Sequence, residues 1–374
     1  MAKRGMALAE AVATLVGCII GAGIFGIPYV VAKAGILAGI INIVVLGTVI
    51  LFINLYVGEI ALRTKKTHQL VGYVEKYLGQ TGKIIMTLSA VFSMVGALIA
   101  YIIGEGEVIS AIFGFNPFTV SLIFFAIASL VVFFDLEAVK KFELYLGIVM
   151  LALILAICFI SLPHVNLANL SGFDLGQIFL PYGVVLFAFV GAAAIPEMEE
   201  ELRGNKKLMK RAIIIGSLIP FFVYLLFMIA VIGVTGAGTT EVATIGLGKA
   251  LGEYMVLLGN LFAIFAMATS FFILGLALKW MLHYDYHINK TVSWAIACFV
   301  PLLIFLAGVR SFISVIAITG AVAGGVEGIL LVLTAKMAKK YGDQKPAYSI
   351  PLNWFIAIIF IAIFAFGIAY QFLM

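Results

Sequence analysis

Apolar residues run through this chain in eleven blocks bounded by charge or by glycine and proline: residues 8–33, 36–62, 82–108, 117–135, 138–161, 177–200, 208–234, 252–280, 290–308, 311–336 and 350–373. A helix rises about 1.5 Å per residue and the hydrocarbon core of a bilayer is about 30 Å thick, so a block of about 20 apolar residues crosses once. The pattern predicts an all-α polytopic membrane protein with eleven spans. Two segments between blocks read differently. HQLVGYVEKYL, 68–78, alternates apolar with charged faces and is too short to cross, so it is expected to lie along the membrane surface. TTEVATIGLGKALG, 239–252, reads as a short helical loop on the opposite side.

Composition agrees with this picture and narrows it. With 64% hydrophobic and 11% charged residues and a mean hydropathy of +1.22, the 374 residues leave no room for a separate soluble domain. If the N-terminus is cytoplasmic, 20 of the 23 Lys and Arg residues, Lys3, Arg4, Lys140 and Lys141 among them, fall on the cytoplasmic side, and only Lys33, Lys249 and Arg310 remain outside. This positive-inside bias predicts a cell-membrane protein with its C-terminus outside, and it accounts for the net charge of +5 without a nucleic-acid partner. MAKRGMALAEAV lacks a small-residue cleavage site, so the first span is expected to be retained. Cys18, Cys158 and Cys298 lie far apart in apolar runs, which suggests packing residues and neither a disulfide framework nor a zinc site. The chain has no HExxH, no GxSxG, no paired intramembrane aspartates and no GxxxxGK[ST] loop. Those absences argue against an intramembrane enzyme, an ATP-driven pump and any cofactor.

The blocks also repeat. A shift of 168 residues, the separation of Pro28 from Pro196, lays spans 1–5 over spans 6–10. Five is odd, so the second copy must be inverted; this predicts a first repeat over 1–165, an inverted second repeat over 166–340 and an extra helix over 341–374. Each copy opens with a broken span: GCIIGAGIFGIP, 17–28, and FAFVGAAAIPEMEEEL, 187–202, where Gly191 and Pro196 interrupt the helix. Unwound backbone in hydrocarbon survives only around a cavity, because each unpaired amide or carbonyl costs several kcal/mol there. In span 1 the amides around Gly21, Ala22, Gly23 and Ile24 begin a new half-helix, whose positive end favours a carboxylate. In span 6 the carbonyls of Phe187, Ala188 and Val190 end a half-helix and favour a cation. Two such poles side by side suit an α-amino acid zwitterion.

These motifs, with AYIIGEGE of span 3 and FAMATSFFILGL of span 8, resemble the amino acid/polyamine/organocation (APC) transporter superfamily over about 330 residues. They are most similar to its amino acid/auxin permease and aromatic amino acid permease branches. One departure is that aromatic permeases usually carry Phe-Asp after the TSFxxxGL of span 8, where this chain has Ala277-Leu278. The resemblance implies a leucine-transporter-like fold, an inverted 5+5 repeat with discontinuous spans 1 and 6, and secondary active amino acid transport. It also implies a sodium site between spans 1 and 8, built from Gly17, Ile20, Ala266, Thr269 and Ser270. Proton-coupled relatives place a lysine on span 5, whereas GIVMLALILAICFIS has none, which favours sodium over the proton.

Three intramembrane carboxylates bear on that choice. Glu327, in the middle of span 10, and Glu105 on span 3 are candidate proton sites by the cost of burying a charge, although Glu105 and Glu107 also read as vestibule residues in water. Glu197, Glu199, Glu200 and Glu201 beside a basic cluster read as a solvated loop. The side-chain pocket is expected to be lined by Ile24, Met94, Ala97, Tyr101, Phe187 and Phe189, which carry no charge, so neutral amino acids are the expected substrates. A proton-coupled symporter or exchanger, and a non-transporting amino acid sensor on the same scaffold, are the alternatives.

Overall fold

The structure, a computed structural model, describes residues 2–135 and 138–373, with side chains over 6–135 and 147–373. Of the basic residues counted above, Lys3, Arg4, Lys140 and Lys141 lie outside these side chains. Among the described residues all eleven spans are helical and no strand occurs.

Span 1 is two helices, α1 (Ala2–Ile19) and α2 (Gly23–Ala34), set at 53° to each other. α3 (Ile36–Arg63) is span 2. α4 (Leu70–Phe113) joins the surface segment to span 3 through Gly79, whose φ of +73° no β-carbon residue adopts cheaply. α5 (Pro117–Phe133) and α6 (Ala138–Ser161) complete the first copy. Span 6 is again broken, into α7 (Tyr182–Phe189) and α8 (Ile195–Glu201). α9 (Met209–Thr235) is span 7, α10 (Ala243–Leu251) is the predicted short helical loop, and α11 (Glu253–Trp280) and α12 (Lys290–Leu306) are spans 8 and 9. Span 10 runs from α13 (Phe312–Thr319) through a π turn at Gly320–Gly324 into α14 (Gly325–Tyr341), and α15 (Trp354–Leu373) is span 11. The π turn was not foreshadowed by the apolar pattern, which takes span 10 as one regular helix.

Packing sorts the spans into two groups. α1, α2, α3, α7, α8 and α9 pack on one another, as do α4, α5, α11 and α12; α6 and α13–α14 bridge the groups. Small residues set the closest approaches: a β-carbon on Gly23 would meet Ala188, and one on Gly183 would meet the backbone of Ala317. In a bilayer, where burial of apolar surface drives little association, such close backbone contact holds helices together.

Charged ties close one end of the bundle. Glu59, with a side chain 3% exposed, accepts from Lys339 Nζ at 2.7 and 2.8 Å, Arg63 Nε at 2.8 Å, Ser349 Oγ at 2.8 Å and the Ile350 amide at 3.0 Å. This pins the strap 342–353, ahead of α15, across the ends of α3 and α14. Asp343 in the strap pairs with Lys76 and takes the Lys65 amide at 3.0 Å, and both hold its carboxyl below the usual range. At the same end Lys279 of α11, 1% exposed, donates to the Val132 and Phe133 carbonyls at 2.8 and 2.9 Å and to Asp135 at 2.7 Å, and Lys290 pairs with the other Asp135 oxygen.

The unwinding of span 1 falls at Ile20–Ala22, and Pro28 lies inside α2. Two expectations change. Glu199 is not solvated: it is buried, accepting from Lys206 at 2.6 Å and Thr67 at 3.2 Å. Cys158 and Cys298 are buried in packing, but Cys18 is exposed, because it sits on the open side of the break.

Candidate functional site at the two helix breaks

The two breaks meet. Ile20 still donates to Val16 at 2.8 Å, and then the chain unwinds through Gly21 and Ala22. Opposite, α7 ends at Phe189, Val190 turns extended at ψ 121°, and a 3₁₀ turn at Ala192–Ala194 leads into α8, with Pro196 in its first turn where it needs no amide. Gly23 lies against the Ala188 backbone and Gly191 against Ile19, so both glycines are needed for the half-helices to touch.

Tyr224 of α9, absent from the sequence reading, pins this junction. It is wholly buried, and its hydroxyl oxygen lies 2.7 Å from the Ile19 carbonyl and 2.8 Å from the Ala188 carbonyl. These carbonyls stand at the C-terminal ends of α1 and α7, where unpaired acceptors and the negative dipole end coincide. One hydroxyl carries one proton, so it serves one carbonyl at a time and leaves the other open to a second donor. The only signal in the sequence was a tyrosine in the middle of an apolar span.

On the other side, Ile24 donates to Gly21 at 3.4 Å and Phe25 to Ala22 at 3.2 Å. The Ile24 amide is therefore engaged within the loop, which corrects its expected place among the carboxylate donors. The amides of Gly21, Ala22 and Gly23 precede the first helical bond and stay at the positive end of α2.

Across the first break stands α11. A β-carbon on Gly21 would lie 4.0 Å from Ser270 Oγ, and the Tyr101 phenol lies beside Ser270, close to Cys18. Thr269 donates its hydroxyl proton to the Phe265 carbonyl at 2.7 Å and lies 3.3 Å from the Ala266 carbonyl. The neighbourhood of Gly17 is open, with nothing within 4 Å of where a β-carbon would stand. Of the residues expected to hold sodium, the structure thus brings Ser270 to the first break, while the Thr269 hydroxyl bonds back to its own helix.

The side-chain pocket differs from expectation at one residue. Phe189 points away from the break: it packs on Tyr224, ring centroids 5.1 Å apart, and on Gly47 of α3. Phe187 lies against Gly320 and Val190 against Gly324, both on span 10. Ile24, Ala97 and Tyr101 are buried and Met94 half-buried.

The site is closed on one side and open on the other. Phe25 and Phe262 cover it with ring centroids 5.1 Å apart, and Gly26 packs on Val184, Ile313 and Ile316. Toward the α1 N-terminus, α1 exposes Glu10, Gly17 and Cys18, and α8 exposes Ala193, Glu197 and Glu200. The exposed carboxylates among these belong at an aqueous edge, since lipid would not tolerate them.

Glu105 is not in a vestibule. It is 0% exposed, lies against the backbone of Ala268 on α11, and neither oxygen meets hydrogen-bond geometry. Glu107, two residues on, faces another way into a cavity of about 400 Å³ at the C-terminal end of α4 and the N-terminal end of α11. Glu327 lines a small cavity beside the second break.

The sequence profile of the tryptophan/tyrosine permease family matches residues 5–371, and the chain belongs to that family. Glutamine transporter 2 of Aliivibrio fischeri is 25% identical over 339 residues, 86% of this chain and 84% of that protein. Tyrosine-specific transport system 1 of Haemophilus influenzae is 27% identical over 317 residues, 77% of each chain. Among solved structures, the inward-facing conformation of Mhp1 superposes with a TM-score of 0.62 at 14% identity, covering 97% of this chain and 88% of that one. The fold is therefore the leucine-transporter-like one, and the chain is an amino acid transporter and not an enzyme.

Proposed function

We propose that this member of the tryptophan/tyrosine permease family imports neutral amino acids by sodium symport through alternating access, with its N-terminus in the cytoplasm and its C-terminus outside. The observation that carries the reading is the meeting of the two breaks, with free amides of one half-helix facing C-terminal carbonyls of two others around Tyr224. In it the Gly21, Ala22 and Gly23 amides take the substrate carboxylate, and the carbonyls at Ala188 and Val190 take its ammonium. Tyr101, Ile24 and Phe187 border the side chain.

Sodium is favoured by Ser270 Oγ beside Gly21 in the first break, by the hydroxyl of Thr269 next to it on α11, and by the absence of a lysine in the stretch 147–161 of span 5. Neutral substrates are favoured because the residues expected to line the side-chain pocket, Ile24, Met94, Ala97, Tyr101 and Phe187, carry no charge, and because the relatives above are named for glutamine and tyrosine. The exposed stripe on α1 and α8 supports a cytoplasmic opening in this state.

Uptake of labelled glutamine, tyrosine and alanine into proteoliposomes, with and without a sodium gradient, tests the proposal. Uptake that ignores sodium and follows a pH gradient would overturn the sodium assignment. Arginine and lysine outcompeting the neutral amino acids would overturn the substrate class and bring Glu105 into the pocket.

A further inference from the structure

Glu327 takes no part in the site just described, yet the chain is built around it. It lies in the first turn of α14, directly after the π turn Gly320–Gly324, whose Ala323 carbonyl is captured by Ser89 Oγ of α4 at 3.0 Å. With Asn54 of α3 and the unwound segment Val190–Ala192 it lines a cavity of about 10 Å³, close to the volume that admits one water. Asn54 is 0% exposed; its amide group donates to Ser217 Oγ at 3.3 Å, and its Oδ1 has no partner. A buried amide oxygen without a donor is costly, so it marks a place where a donor comes and goes. Beside the cavity, in the turn Ala192–Ala194 that starts the inner half of span 6, Ala194 donates to the Gly191 carbonyl at 3.1 Å, whereas the N–H groups of Ala192 and Ala193 have no helix bond to satisfy them.

We propose that Glu327, Asn54 and the span 6 break form a proton-binding site that governs the inner half-helix α8. Ionised, the carboxylate accepts from the first amides of the turn, directly or through one water, and ties α8 to span 10. When a proton from water binds a carboxylate oxygen, the new hydroxyl donates to Asn54 Oδ1 and the tie to α8 is released. No other titratable side chain lines the cavity. The charged residues of α3 are engaged beyond Asn54, where Glu59 pairs with both Arg63 and Lys339. The faces of α7, α4 and α15 toward this part of span 10 offer Leu186, Ser89, Phe364 and Ile368, none of which ionises. The proposal rests on the transport reading, since what the proton controls is the movement of α8 during transport.

The test is sodium-driven uptake of labelled glutamine and tyrosine by the full chain in proteoliposomes across about pH 5 to 8. Wild type is expected to change uptake several-fold along a single titration, Glu327→Gln to give a flat profile, and Glu327→Asp to restore a titration at a different midpoint. A Glu327→Gln profile that follows wild type overturns the proposal. Should Glu327→Gln fail to accumulate, Asn54→Leu must move the midpoint by about tenfold in proton concentration, the effect of losing one hydrogen bond to one protonation state, and an unmoved midpoint overturns it equally. If wild type takes up nothing, the transport reading fails. Maleimide labelling of Ala193→Cys in a Cys18→Ser background then still decides this site: the labelling rate, divided at each pH by that of a free thiol, must vary with pH when Glu327 is present and not with Glu327→Gln, and identical corrected profiles overturn it.

Discussion

Adding one methyl group at residue 23 tests whether the two breaks must touch to bind substrate. A β-carbon there would stand 2.6 Å from Ala188 Cα and 2.8 Å from Ala188 Cβ. Carbon atoms rest at about 3.5–4.0 Å, so Gly23→Ala forces α2 and α7 apart by about 1 Å, and the neighbour that must yield is backbone. Interiors do not absorb this by compression, and overpacking of this kind costs about 1–3 kcal/mol. Alanine's better helix propensity returns at most about 1 kcal/mol, so strain wins. A carboxylate held by loop amides at about 2.7–3.2 Å loses those bonds when one side moves by about 1 Å. Gly23→Ala should therefore weaken substrate binding at least about tenfold, and Gly23→Val should abolish uptake while the protein still inserts. Gly21→Ala is the matched control for losing a glycine in this loop, since its β-carbon would meet only Ser270 Oγ at 4.0 Å. Calorimetric binding of glutamine and tyrosine to the purified variants reads the effect. Wild-type affinity in Gly23→Ala, with unchanged thermal stability, would refute both the contact and the carboxylate assignment.

Other outcomes follow from the same geometry. Thr269→Ala with Ser270→Ala removes two proposed sodium oxygens and should raise the half-saturating sodium concentration at least about tenfold with normal expression; an unchanged sodium titration contradicts the site. Tyr224→Phe leaves the Ile19 and Ala188 carbonyls without their shared donor, about 1–3 kcal/mol of unmet hydrogen bonding, and should lower both melting temperature and uptake. Equal values in mutant and wild type would mean that the hydroxyl is idle. Glu59→Ala strips the acceptor from Lys339, Arg63, Ser349 and Ile350, and the loss of a buried charge partner should cost about 3–5 kcal/mol. Limited proteolysis should then cut within 342–353, and an uncut strap would show that the network is dispensable.

The spans and both breaks were legible because each is a one-dimensional signal: apolar length for the first, glycine with nearby proline for the second. Pro28 leaves α2 helical because proline in a helix frees only one carbonyl, whereas Gly23 removes the side chain that would keep the loop apart from α7. Glu105 and Glu107 show where reading along the chain stops. Two residues apart on a helix, they face about 200° apart, and only the seating of α4 against α11 decides which enters protein and which enters the cavity. Tyr224 was invisible for a related reason: its hydroxyl meets carbonyls 205 and 36 residues away in the chain. The π turn in span 10 depends on Gly320 closing on the Phe187 backbone, a contact between helices that no local pattern encodes.

Lys279 also bears on how the chain is made. Among the described residues its ammonium, 1% exposed, is satisfied by the Val132 and Phe133 carbonyls and Asp135, all of which precede it by more than 140 residues. Synthesis delivers the acceptors first, at the end of α5, and the donor long afterward. Until α11 docks, an unpaired ammonium is held at the interface, because drawing it inward costs several kcal/mol. The lysine thus makes the lateral settling of span 8 conditional on a finished span 4, an order of assembly written into one side chain.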